Sequence, residues 1–474
     1  MSPSENNRSH SSFTPPKQTA PLRIQPERPT RRFWRRALRS LLWGGGVALF
    51  SFLLINLWAS WRLHEELGAP IRLVQLAPPR VPDAENAAVV YLKAADALKL
   101  TDSQRDALHN DKGIARGGEA EATAEAMALS NNAQAIALTR QAAGMAACRF
   151  PVDYDAVNLA GILLPHLGKM RTLAYLIRAE ALSEARSGHV EAALDDVSVL
   201  FRMSEHIAPE PMLISGLVAM AVERIGCRAL ADVLDTVSLT PEQAHAFVGR
   251  LAHTDWVATF QHDLDGERCF GMWAFQFVSN PIEARLLESG TPSTNIFTRM
   301  LGVVWAPLWK LDEIEYLHAL QWQRAATLAP GAPAYPESIV TRDLPWYAVC
   351  TRIMLPSLAR VGLRRDEMLV YRDMAQVALA LNAYRTLHGR YPSHLEDAEA
   401  LWGSAFPRDL YLGQPFVYRT EGDRLVLYSI GPNHKDDGGR KPPQSATSVT
   451  EREAQRQAAL NGSTATQYDD IVWD

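Results

Sequence analysis

Residues able to bind a metal or move a proton are scattered along the middle of the chain. His262, Asp263, Asp265 and Glu267 crowd into the run HDLDGER. A calcium loop needs oxygen ligands at alternate positions, a glycine turn and a closing carboxylate. No acidic residue closes this run, so it reads as a solvated turn between helices. Asp312, Glu313, Glu315 and His318 recur at spacings near three, which puts several on one helix face. Paired carboxylates there would suit acid–base catalysis, although an acidic solvent face is the commoner use of the pattern. His166, in LLPHLGKM, reads as a core or interface histidine. The chain carries no G-x-S-x-G, H-E-x-x-H, P-loop or G-x-G-x-x-G. The usual arguments for an enzyme therefore lapse. A hydrolase with its site in a helical cleft stays as the alternative to a non-enzymatic role.

The element that must position everything else is Ser40–Trp61, SLLWGGGVALFSFLLINLWASW, which holds no charged residue. As a helix it rises about 30 Å, the hydrocarbon thickness of a bilayer. Trp43, Trp58 and Trp61 lie near its ends, where indoles favour the headgroup zone. Arg31, Arg32, Arg35, Arg36 and Arg39 precede it and only Arg62 follows at once, which predicts a cytoplasmic N-terminus. A cleaved signal peptide would have a shorter apolar run, and a buried soluble helix would not carry such a basic collar. The expected location is the bacterial inner membrane, single-pass, with the bulk of the chain periplasmic.

Residues 1–40 hold nine Lys/Arg against two Glu, a balance of +7, so the remainder carries −12 within a total of −5. An acidic outer part argues against nucleic acid as a partner; envelope proteins and the lipid bilayer are the expected ones. Cys148, Cys227, Cys269 and Cys350 all follow the anchor. In an oxidising compartment they allow two disulfides or remain core thiols.

The proline-rich start defines a disordered basic cytoplasmic tail over 1–36, before a transmembrane helix over 37–61. Pro70, Pro78, Pro79 and Pro82 mark an extended linker over 62–85. An α-helical domain is expected over 86–340, as an irregular bundle or short solenoid. Its helices include a segment from about Glu119 to Cys148, an antiparallel pair meeting at Gly188, and runs over Trp256–Val278 and about Asn295–Leu328. Gly188 and Ala193 resemble the turn of a tetratricopeptide unit, but Val190 stands where that repeat has an aromatic residue and no 34-residue period is found. Thr240-Pro241-Glu242-Gln243 fits a capping box with proline at the first helical position.

Toward the end, Met374, Val377, Ala378, Leu381 and Tyr384 form one apolar stripe within a helix expected over Arg365–Leu387. Gly389 and Tyr391-Pro392 stop it. Ser393 and Glu396 suggest a capped short helix. Pro415–Arg419 and Arg424–Ser429 alternate as the strands of a hairpin turning at Glu421-Gly422-Asp423.

The order ALALNAYRTLHGRYPSHLEDAEAL, PRDLYLGQPFVYR, LVLYSIGPNHKDDGG and YDDIVW resembles the globular half of the major pseudopilin of type II secretion systems. The fold class is thus mainly α, with a small α+β pseudopilin-like module over 341–474 and a polar insert at 440–468. The resemblance implies calcium held by Asp436 and Asp437 on one side and Asp469 and Asp470 on the other, with Asn433 where the family often has Asp. Two departures stand out: the long insert, and Asp409-Leu410-Tyr411 where the family has Asp-Pro. The apolar helix also lacks the family's glutamate and lies some three hundred residues from the module. The function expected is that of a membrane-anchored interaction or structural protein linked to a secretion or pilus-like apparatus.

Overall fold

The computed structural model describes residues 31–68, 71–109, 119–279, 296–327, 344–422, 424–439 and 470–473. The chain divides into two compact units, Met1–Leu57 and Trp58–Asp474. Helix α1, Arg31–Leu67, begins in the first. Its stretch Leu38–Leu67, 30 residues, is long and apolar enough to cross a membrane, and none of its most apolar window is buried. It outruns the expected span because Arg62 pairs with Glu65 and Glu66 one turn on, at 3.7 and 3.9 Å, which favours helix past the apolar run.

The second unit is mainly helical. In chain order it contains α2 (Leu73–Leu76), α3 (Ala87–Asp96), α4 (Asp102–His109), α5 (Glu119–Asn131) and α6 (Ala133–Ala143). There follow α7 (Pro165–Arg186), α8 (Val190–Ile207), α9 (Leu213–Thr236) and α10 (Pro241–Val248). The series closes with α11 (Trp256–Ser279), α12 (Ile296–Thr327), α13 (Val349–His388) and α14 (Leu395–Trp402). Helices α7, α8 and α9 pack on one another, and α13 lies against α9, α10 and α12.

Local chemistry explains several boundaries. Thr240 Oγ1 accepts the Gln243 amide while Gln243 Oε1 accepts that of Thr240, the expected reciprocal cap of α10. The single helix expected from Glu119 breaks at Asn132. Its buried amide donates to Ala128 O at 2.7 Å and accepts the Lys99 amide at 2.6 Å, so it joins two strands of chain instead of prolonging one. The linker at 62–85 is partly helical, through the end of α1 and through α2. Helix α14 is capped one residue later than expected, by His394 with Asp397. Gly389 ends α13 at φ 68°, a left-handed conformation that glycine adopts without a Cβ penalty.

Helix α13 starts well before the expected Arg365, because Asp312 of α12 caps its N-terminus, accepting the amides of Cys350 and Thr351 at 2.7 and 3.1 Å. Its far end carries the sheet, β1 (Val417–Glu421), β2 (Arg424–Ser429) and β3 (Ile471–Val472), antiparallel in that order. Leu427, Ile430 and Ile471 enter the same core as Met374, Val377 and Leu381 of α13. Helices and sheet thus share one apolar interior. The 340/341 boundary lies outside the described residues. All four cysteines are free thiols, which settles the disulfide alternative against pairing.

Candidate binding site

The candidate acid–base residues do not converge. HDLDGER is no turn but part of α11. Asp265 pairs with Arg324 Nη1 at 2.6 Å. Asp312 is fully buried as the cap of α13 and also accepts the Thr351 hydroxyl at 2.7 Å. Glu315 accepts the Tyr347 hydroxyl at 3.2 Å, and His318 meets Glu66 at 3.3 Å. Each is spent on joining elements.

His166 is buried, as expected, with its ring stacked on Phe150 at 4.3 Å. Its Nε2 lies 2.8 Å from Glu210 Oε1 in a contact that lacks hydrogen-bond direction. Ser215 Oγ donates to the other Glu210 oxygen at 2.6 Å. A carboxylate in the middle leaves no base on the serine of the Ser–His–Asp kind; the trio ties α7 and α9 to the turn between α8 and α9. Nearby, Asp263 is buried with both carboxyl oxygens unpartnered. Burial pushes its pKa well above the usual range, with Glu210 and Glu267 adding to the shift, which favours the neutral acid.

Two concavities among the described residues of the second unit bear on a site. One, of about 610 Å³, gathers His253, Asp255, His262, Arg202 and Glu205. Most are committed: Glu205 accepts the His253 amide at 2.8 Å, and Asp255 caps α11 through the Val257 and Ala258 amides at 3.0 Å. His253 Nε2 contacts Gly249 O at 3.1 Å. His262 and the buried Thr254 hydroxyl have no hydrogen-bond partner among the described residues, and without an acid to orient the imidazole they make a poor catalytic set.

The other, of about 640 Å³, is an apolar groove walled by Leu159, Ile162, Leu164, Met212, Leu213 and Phe270. Ile214, 55% exposed, and Leu217 stand at its mouth. Its two charged residues are Glu267 and Arg364. The Glu267 carboxylate has no hydrogen-bond or ion-pair partner among the described residues, and burial raises its pKa. Arg364 spends one nitrogen on Glu367 at 2.5 Å and keeps the rest of its fork. Apolar walls with a few polar groups are the usual make-up of a binding site. This groove was not legible beforehand, since its lining comes from four separated segments.

Of the proposed metal ligands, Asp436, Asp437 and Asp470 come together; Asp469 lies outside the described residues. Asp470 accepts the Asp437 and Gly439 amides at 3.3 and 2.7 Å. Asp436 accepts the Tyr428 hydroxyl and the Gly438 amide, both at 2.8 Å. Asn433 donates to Asp437 at 3.0 Å. Hydrogen bonds thus fasten the loop to the closing strand, the task that the resemblance gives to calcium. No three His, Cys, Asp or Glu side chains among the described residues are grouped to hold a metal. Sequence reasoning missed Asp409, buried, which accepts the Ser429 hydroxyl at 2.7 Å and the Ile430 amide at 3.1 Å.

No family model matches the chain, and neither a curated protein nor a solved structure matches it.

Proposed function

We propose that this is a single-pass envelope protein with a non-enzymatic binding role, whose helical part holds a protein partner in the apolar groove between α9, α11 and α13. The observation that carries the reading is the groove itself: apolar walls, exposed Ile214 and Leu217 at the rim, and a free-forked Arg364 beside an unpartnered Glu267. A groove of that volume suits two or three large side chains on one face of an amphipathic helix, with an acidic residue placed for Arg364. The bulk of the chain is periplasmic in this reading, on the strength of the arginine collar before the span. The helix, hairpin and fastened acidic loop at the C-terminal end support a pseudopilin-like module serving as a structural cap, which makes a secretion or pilus-like apparatus the natural setting.

Ala160 lines the groove from an exposed position, so Ala160→Trp fills the groove without disturbing the core. Co-purification from solubilised membranes is expected to recover a partner with the wild type and to lose it with Ala160→Trp and with Arg364→Glu. Recovery of the same proteins with all three would overturn the reading. The hydrolase alternative rests on the cleft at His262; an activity abolished by His262→Ala and indifferent to Ala160→Trp would favour it.

A further inference from the structure

Glu267 is the one feature of the apolar groove that its own surroundings do not explain. It lines the groove from α11, half-buried, with Leu164, Met212, Leu213, Phe270 and Val361. The turn of α11 that carries it is fixed, because Tyr316 of α12 donates to the Glu267 carbonyl at 2.9 Å. Its carboxylate is not served. Arg324 of α12 pairs with Asp265 at 2.6 Å, Arg365 of α13 with Asp366, and Arg364 with Glu367. Arg268, the next residue in the chain, donates to Leu67 O. No cation among the described residues pairs with Glu267, and burial raises its pKa.

One turn earlier on α11, Asp263 lies behind the same wall. A Cβ at Gly216, between the groove residues Ile214 and Leu217 of α9, would run into the Asp263 carboxyl. Both Asp263 oxygens lack a partner as well. The α9–α11 side of the groove therefore carries acid without a cation, while Arg364 on the α13 side keeps free donors. These charges set what an occupant must bring. A wholly apolar helix would bury Glu267 unserved, and an acidic side chain beside it would be repelled, so both are selected against. A lysine fits an acid set in apolar walls: its four-carbon stem can lie along Met212, Leu213 and Phe270 while its compact charge reaches the carboxylate.

We propose that the helix held in the groove carries a lysine on its apolar face, whose ammonium pairs with Glu267 while an acidic residue of the same face meets Arg364. This pairing rests on the groove being the partner site, and it makes Glu267 the residue that selects among apolar helices.

The test uses cells making the full chain with a benzophenone amino acid at Ile214, 55% exposed at the groove mouth. The wild-type groove is expected to give a protein adduct that Ala160→Trp abolishes. Glu267→Gln and Glu267→Leu should each reduce that adduct about tenfold or more, and the captured peptide should hold a lysine within one helical turn of the adduct site. A zero-length carbodiimide, which joins a carboxylate to an amine, should link wild-type Glu267 to that lysine. Both variants remove an unserved, half-buried acid, so their melting midpoints in detergent should equal or exceed that of the wild type, which separates loss of adduct from loss of fold. An adduct unchanged by Glu267→Gln, raised by Glu267→Leu or joined to a peptide without lysine would overturn the pairing and leave the groove standing, as would absence of the carbodiimide link. No protein adduct at Ile214, or one indifferent to Ala160→Trp, would overturn the groove itself.

Discussion

At Glu313, burial lifts the carboxyl to about 7, against the pull of Lys310. A folded-state value above the unfolded one means the folded chain binds the extra proton. The stability associated with that proton is present below about pH 4.5 and is lost as pH rises through 7. Glu313→Gln should therefore leave stability unchanged at pH 4 and raise it above pH 7 by about 3 kcal/mol. Urea unfolding at the two pH values checks this, and an equal shift at both would contradict it. Glu223 is the opposite case, a buried acid that is fully served. Arg372 holds it at 2.7 Å, and the Trp256 indole donates to its other oxygen at 3.0 Å. Arg372→Met should cost about 3–5 kcal/mol by stranding the carboxylate, and adding Glu223→Met should recover much of the loss. A double variant as unstable as the single one would show that the pair gives more than mutual neutralisation.

Among the elements, the C-terminal loop and strand offer the clearest test. Asp470 joins β3 to the loop through two amide bonds, and charge-assisted bonds are the stronger kind. Asp470→Ala should lower stability by about 2 kcal/mol. Calcium at Asp436, Asp437 and Asp470, which the resemblance implies, would add to this fastening, so a chelator should lower the wild-type melting midpoint, and an unchanged midpoint would remove calcium from the account. The long periodic elements were legible: the apolar helix, the pair at Gly188, the α10 cap and the β1–β2 hairpin all announce themselves through local spacing. What escaped depends on distant partners. Asn132 breaks a helix because Lys99 is beside it, and α13 starts early because Asp312, from another helix, serves its free amides. Neither partner can be found by reading along one segment.

At the scale of the second unit, one apolar interior joins the helices to the small sheet, and Asp265, Asp312, Glu315 and His318, which looked available in sequence, are joints between its elements. The groove is what the packing leaves open. Its lining is drawn from the 159–164 loop and three helices, and nothing in residue order links them. The last turns of α1, which belong to the second unit, meet α11 through Arg268 and α12 through Lys310 and His318. The envelope reading depends on Leu38–Leu67 lying in lipid. Alkaline carbonate extraction of membranes from cells making the full chain tests that most directly. The protein is expected to stay in the pellet at full mass, and its release to the supernatant would contradict the account.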